Sequence, residues 1–428
     1  MVRVVIEELE PAPGEAERLR AYLDTHARRL GGRQRGVVVE VLASVERDAR
    51  FVLRIVAEDE AALRTFMEQP LWRDFEAGLE PLLRARSRRG FVPIAARNGA
   101  RRVLVAVPIL AERRELLRPL EEAGFQLLFN DLGRNLSEEE LIARLDGVVA
   151  TVAGMEPYTE QVFARAPQLR IIARFGVGFD AIDLAAARRH GVQVAMAFGT
   201  NHEAVADHAF ALMAALAHQL PAYDAVVRAG AWSRSGHPGL FGHTVGIIGF
   251  GRIGRALAKR CKAFAMRILV SDPAVDAGTV SRLGCELVPL DQLLREADFV
   301  SLHTPLTPET ARLIDAKRLS WMKPTAYLIN TARGGLVDEE ALVAALKAGR
   351  LAGAALDVFA SEPPLGSPLL AMDRVLLTPH VAGLSEDAIR RMAAVCVENI
   401  LRLWRGEPLF EGRLLDLAAP PQESTTDR

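Results

Sequence analysis

Three side chains capable of proton and anion chemistry stand in loops that each follow a short apolar run. Arg333 lies in LINTARGGLVDEEAL, Glu362 in ALDVFASEPPL and His380 in VLLTPHVAGLSEDA. An imidazole exchanges a proton near neutral pH, a carboxylate can fix its tautomer, and a guanidinium fork can grip a carboxylate. Taken singly, each reads as a loop arginine, a surface glutamate or a satisfied histidine. Independent loop placement does not predict that all three should follow strands. In open parallel sheets the carboxyl ends of the strands line the ligand crevice.

A second feature lies upstream. Residues 244–250 (TVGIIGF) read as a buried strand and run into GFGRIGRALAKR, so Gly249, Gly251 and Gly254 make G-x-G-x-x-G ahead of a helix over 252–264. In that context Gly249 permits a tight turn, Gly251 lets backbone approach a pyrophosphate, and Gly254 lets helix and strand pack closely. The helix start offers unpaired N–H groups and partial positive charge to phosphates. Asp272 ends the next strand, 18 positions past Gly254, where a carboxylate would accept both ribose hydroxyls. No Lys or Arg between Ser271 and Ser281 could neutralise a 2′-phosphate, so NAD is expected rather than NADP.

The elements that must carry these residues alternate. From residue 102 the runs VLVAVPIL, FQLLFN, GVVATVA, LRIIARFG and VQVAMA are separated by helical stretches such as 138–145 and 159–166, which predicts parallel strands covered on both faces. Residues 203–220 form a long predicted helix, a second α/β run extends from 244 to about 383, and 385–405 is a closing helix capped by Ser385, Glu386 and Asp387. The tail AAPPQESTTDR reads as frayed. The first 95 residues differ. Strand-like runs at 2–6, 37–43, 50–57 and 90–95 surround helical stretches at 15–30 and 60–83, with a polar turn at 46–48 and a break at Pro70. That βαββαβ order predicts a small α+β, ferredoxin-like sheet with helices on one face. Arg84, Arg86, Arg88, Arg89, Arg97, Arg101 and Arg102 read as a solvated linker, since no aromatic interleaving accompanies them.

Composition narrows the function classes. The chain has 428 residues, 50% hydrophobic and 25% charged, which excludes wholesale disorder. Lys and Arg number 53 against 54 Asp and Glu, so no global field draws polyanions and a nucleic-acid partner is not expected. Glu7, Glu8 and Glu10 stand where a signal peptide needs an apolar core, and no uncharged apolar stretch reaches ~18 residues, so no membrane association is expected. Cys261, Cys285 and Cys396 form no CxxC pair and read as core residues of a cytoplasmic protein. The nine histidines show no HExxH spacing, and no metal site is expected.

From residue 102 to about 411, roughly three quarters of the chain, the sequence resembles the D-isomer-specific 2-hydroxyacid dehydrogenases, with 3-phosphoglycerate dehydrogenase among the near relatives. The motifs RFGVGFDAIDLAAARRHGVQV, NHEAVADHAFALM, TVGIIGFGRIGR, SLHTPLTPET, LINTARGGLVDEEAL, ALDVFASEP and TPHVAG stand in the family's order. The resemblance implies two Rossmann-like parallel-sheet domains, substrate-binding over 102–202 with 390–415 and NAD-binding over 203–389, preceded by the ferredoxin-like domain at 1–95. It implies that Arg333, Glu362 and His380 are catalytic. It places cofactor contacts, besides the glycine turn, at Arg252, Ile253, Asp272, Thr304, Pro305, Thr331, Ala332, Arg333, Asp357 and His380 to Gly383. Val177 and Gly178 would lend backbone N–H groups to the substrate carboxylate, together with Arg333. The implied reaction interconverts a D-2-hydroxy acid and its 2-oxo acid, in a homodimer or higher homo-oligomer. The competing expectation is an NAD(H)-sensing binding protein without turnover, since some relatives are corepressors.

Two departures matter. Relatives acting on 3-phosphoglycerate place arginines in the loop corresponding to TVAGMEPYTE, which has no Lys or Arg but carries Glu156 and Glu160. Repulsion of a phosphate is expected there, and so an uncharged or apolar substrate tail. The chain ends soon after Leu415, so the regulatory domain of some relatives is not expected. The N-terminal segment resembles the antibiotic biosynthesis monooxygenase-like domains. Its Phe51, Phe66, Trp72 and Phe75 read either as a pocket or as core and dimer contacts, and an oligomerisation or sensing module is the favoured reading over a second enzyme.

Overall fold

The structure, a computed structural model, describes residues 3–12, 14–30, 37–43, 51–57, 60–91 and 101–409. The polar turn at 46–48, residues 92–95 of the expected last strand, Arg97 and everything beyond 409, including the tail and the 410–415 part of the expected substrate domain, lie outside the described residues. The chain divides into two compact units; the second comprises 176–180 and 197–393, and the first holds the remaining described residues.

In the first unit, an N-terminal antiparallel sheet has the order β2-β3-β1-β4, built from β1 (Arg3–Pro11), β2 (Val37–Ala43), β3 (Phe51–Ala57) and β4 (Leu83–Phe91). Helices Ala16–Leu30, Glu60–Met67 and Pro70–Leu79 complete it, with Pro70 opening the third helix, where its missing N–H costs nothing. Alternation in β3 sends Leu53, Ile55 and Ala57 into a core shared with Leu19, Leu23, Phe66, Trp72 and Phe75. Phe66, Trp72 and Phe75 are therefore core residues; the side chain of Phe51 lies outside the described set. The last strand begins at Leu83, earlier than expected, so Arg84, Arg86, Arg88 and Arg89 are strand residues rather than linker. Their strand pairs with β1, which sets Glu7 opposite Arg88 and Ile6 opposite Arg89. A run of alternate arginines satisfies strand periodicity as well as it does a solvated coil.

The same unit contains a five-stranded parallel sheet of order β6-β5-β7-β8-β9, formed by β5 (Arg101–Val105), β6 (Phe125–Phe129), β7 (Val148–Ala153), β8 (Ile171–Arg174) and β9 (Gln193–Met196). β7 and β8 are buried at every position, as a strand covered on both faces must be. Ser137 and Thr159 cap the Glu138–Arg144 and Glu160–Arg165 helices, and Ser137 forms a reciprocal capping box with Glu140.

The second unit is a seven-stranded parallel sheet of order β12-β11-β10-β13-β14-β15-β16. Its strands are β10 (Thr244–Ile248), β11 (Arg267–Ser271), β12 (Glu286–Leu287), β13 (Phe299–Leu302), β14 (Tyr327–Asn330), β15 (Gly353–Leu356) and β16 (Val375–Leu377). The strand order reverses between β10 and β13, which makes their carboxyl ends the switch point where ligands bind in such sheets. The expected 203–220 helix ends earlier, at Ala217. Gln219, at φ +51°, breaks it, and Leu220–Arg228 follows as a separate helix with Pro221 in its first turn. Among the described residues no single helix is long and apolar enough to cross a membrane.

Leu328 sits fully buried on β14, an interior strand of the sheet, in a core with Leu302, Leu342 and Leu356. Leu328→Ala should therefore lower unfolding stability by about 2–5 kcal/mol, read as a fall in the urea midpoint.

Candidate active site

The second unit brings the expected residues to one edge of its sheet. The glycine turn leaves β10, Asp272 follows β11, Thr304 and Pro305 follow β13, Thr331, Ala332 and Arg333 follow β14, Asp357 and Glu362 follow β15, and His380 follows β16. Since all seven strands are parallel, their carboxyl ends face the same way, and the convergence follows from topology.

Gly249 has φ +92°, and a Cβ there would lie 2.6 Å from the carbonyl carbon of His303 and 2.8 Å from the backbone nitrogen of Thr304. Only glycine fits both the conformation and the space. A Cβ on Gly254 would strike the carbonyl oxygen of Gly249, whereas Gly251 opens onto empty space. Gly251 caps the Arg252–Ala263 helix without any side-chain cap, so the first-turn N–H groups at Arg252 and Ile253 are not satisfied by one. Asp272 Oδ2 accepts from the Phe250 N–H (2.6 Å) and Oδ1 from the Ala274 N–H (2.8 Å), so the carboxylate braces the turn. A tight turn, an open glycine, an uncapped helix start and a carboxylate on the next strand fit a dinucleotide. Within this framework those groups would hold the pyrophosphate and ribose.

Glu362 Oε2 lies 2.8 Å from His380 Nδ1, and Oε1 accepts from the Phe359 N–H at 3.1 Å. Burial pushes the pKa of Glu362 up, but the bond to His380, the charges of His380 and Arg333, and the Phe359 N–H outweigh it and hold the carboxyl below its ordinary range. An ionised Glu362 only accepts, so Nδ1 carries the hydrogen and Nε2 is left as the ring's working nitrogen. Arg333 donates from Nε to Asp180 (2.7 Å) and from Nη1 to the Ala332 carbonyl (2.7 Å).

The backbone of His380 is left-handed, φ +56°, which a side chain with Cβ adopts at a cost. Asp357 holds it there. Fully buried, its carboxylate accepts from Thr378 Oγ1 (2.6 Å) and from the N–H groups of Val381 (2.9 Å) and Ala382 (2.9 Å). The resemblance made Asp357 a cofactor contact; here its oxygens support the His380 turn. Val177 and Gly178 lie in the 176–180 segment, which belongs to the second unit rather than to the expected 102–202 domain, and Asp180 ties that segment to Arg333. Gly383 packs beside Asn201, with its Cβ position 3.1 Å from Nδ2.

Sequence reasoning missed several supports. Asn330, at the end of β14, donates from Nδ2 to the Arg333 carbonyl (2.9 Å) and accepts from the Ala332 N–H (3.0 Å), shaping the loop that presents Arg333. Thr378 and His208, with Nε2 3.1 Å from Thr378 Oγ1, extend the Asp357 network. A polar residue ending a buried strand was the available signal.

The expected repulsion at TVAGMEPYTE is corrected. Glu156 is buried, with Oε1 accepting from the Gly154 N–H (2.8 Å) and the Tyr158 hydroxyl (3.2 Å), and burial raises it toward the neutral form. Glu160 is paired with Arg189 and His190. Neither carboxylate stands free to repel a ligand. Among the described residues no group of three or more His, Cys, Asp or Glu could hold a metal ion.

The family description "D-isomer specific 2-hydroxyacid dehydrogenase, NAD binding domain" matches residues 210–382. The chain is 43% identical over 309 residues to glyoxylate reductase of Pyrococcus furiosus, covering 68% of this chain and 92% of the relative. It is 38% identical over 326 residues to D-3-phosphoglycerate dehydrogenase of Methanocaldococcus jannaschii, covering 75% and 60%. Its fold matches D-lactate dehydrogenase of Aquifex aeolicus complexed with NAD and lactic acid, with TM-score 0.66, 28% identity and coverage of 75% and 100%. The chain belongs to the D-isomer-specific 2-hydroxyacid dehydrogenases. It is an NAD-dependent oxidoreductase that interconverts 2-hydroxy and 2-oxo acids.

His303, immediately after β13, gives a pH signature. Its Nε2 meets Ser301 Oγ at 2.8 Å, Nδ1 is shielded from solvent without a partner, and burial holds the ring down to about 3. Between there and 6.5 the unfolded chain binds a proton that the folded protein does not. Stability should thus fall as pH drops below 6.5, by at most about 1.4 kcal/mol per pH unit from this ring. His303→Gln should flatten that part of the profile in urea melts run across the interval.

Proposed function

We propose that Arg333, Glu362 and His380 carry the reaction. The observation that supports this most is the 2.8 Å His380–Glu362 pair set on adjacent strand ends beside the charge of Arg333. Bound NAD supplies the hydride acceptor and NADH the donor. His380 Nε2 takes the hydroxyl proton during oxidation and returns it to the carbonyl oxygen during reduction. Glu362, bonded to Nδ1, fixes the tautomer and the orientation of the ring. Arg333 grips the carboxylate and polarises the neighbouring carbonyl.

The substrate we propose is a small 2-oxo acid with an uncharged tail, of the glyoxylate kind. The P. furiosus relative is a glyoxylate reductase, and residues 151–160 offer no cation for a phosphate. We also propose a cytoplasmic homo-oligomer. The three cysteines are free and buried, and Leu220–Arg228 buries none of its residues while Trp232 and Phe241 stand 82% and 81% exposed. The aromatic core of the N-terminal sheet favours a structural or oligomerisation role for it over a second enzyme.

Glyoxylate, pyruvate and a phosphorylated 2-oxo acid should be compared by following NADH absorbance, with turnover expected on the first two. His380→Asn, which suits the left-handed backbone better than Ala, should lose roughly 10²–10⁴-fold in turnover while NADH still binds. Undiminished turnover in that variant rejects the acid–base role. No oxidation with any acid, beside intact NADH binding, would restore the binding-protein reading.

A further inference from the structure

Arg333 is held more firmly than a loop arginine needs to be. Its Nε donates to Asp180 Oδ2 at 2.7 Å and its Nη1 to the Ala332 carbonyl at 2.7 Å. Nη2 rests on the backbone of Gly178, where an added Cβ would collide with it. A guanidinium has five N–H donors. With one Nε and one Nη1 hydrogen engaged, one Nη1 and two Nη2 hydrogens remain as the donors with which the guanidinium can meet a carboxylate. The ion pair is partly exposed, with side chains 23% and 37% accessible. Pairs of that exposure contribute little to folding stability. Their value lies in orientation, because a long side chain fixed beforehand does not have to be ordered when the ligand arrives.

We infer that Asp180 is the positioning residue for Arg333, presenting its remaining donors to the carboxylate of the 2-oxo acid; the inference rests on the role proposed above for Arg333. Gly178 completes the device by leaving room for Nη2. The opposite arrangement is a latch, in which Asp180 competes with the substrate carboxylate for Arg333. The two differ in sign. Removing a positioning residue weakens substrate binding, whereas removing a latch strengthens it.

The test uses the full chain with NADH, titrated with oxamate as an unreactive 2-oxo acid analogue by quenching of NADH fluorescence, alongside glyoxylate turnover. D180A should weaken oxamate binding at least about tenfold and lower kcat/KM by roughly 10²-fold, chiefly through KM, with NADH affinity unchanged. D180N, whose amide oxygen still accepts from Nε, should recover most of the loss and serves as the check if D180A folds poorly. In an R333Q background, D180A should cost nothing further. Oxamate affinity that is unchanged or tighter in D180A, or losses that add fully in the double variant, would overturn the inference. Oxamate binding that depends on Asp180 in a protein without turnover would instead overturn the catalytic reading and leave this one standing.

Discussion

The buried carboxylate of Asp357 is the constraint on which the site depends. It stands immediately after β15, and its oxygens accept from Thr378, Val381 and Ala382, which belong to the loop after β16. A buried carboxylate left unpaired would be expensive, so the loop has to wrap around it. The wrap forces His380 into its left-handed backbone and brings Nδ1 to Glu362. Strain at one residue is thereby offset by satisfied hydrogen bonds at another. A comparable staple operates one strand away, where Asn330 bends the loop that carries Arg333.

The same logic explains which features could be read in advance. The glycine turn, Asp272, Arg333, Glu362 and His380 were legible because each couples a residue type with a position after a buried apolar run, and parallel topology does the rest. Both parallel sheets were legible for the same reason. Asp180 was not, because nothing in GVGFDAID shows that its carboxylate meets an arginine 153 residues later. Glu156 misled for the converse reason. A glutamate in a loop sequence reads as exposed charge, yet here its backbone returns it to Gly154 and Tyr158 inside the unit. The strand at Leu83–Phe91 was hidden by its arginines, whose alternation on a sheet cannot be told from a charged coil without the partner strand.

The charges around the proposed reaction centre come in opposite pairs. Asp180, Arg333, Glu362 and His380 hold no net charge when the imidazole is protonated and one negative charge when it is neutral. A 2-oxo acid would bring its carboxylate to Arg333, the one cation among these groups that does not depend on a proton. Glu362, held ionised, keeps Nδ1 of His380 occupied. In the proposed reaction the proton delivered to the carbonyl oxygen in reduction, and removed from the hydroxyl in oxidation, therefore has the same carrier, Nε2, in both directions.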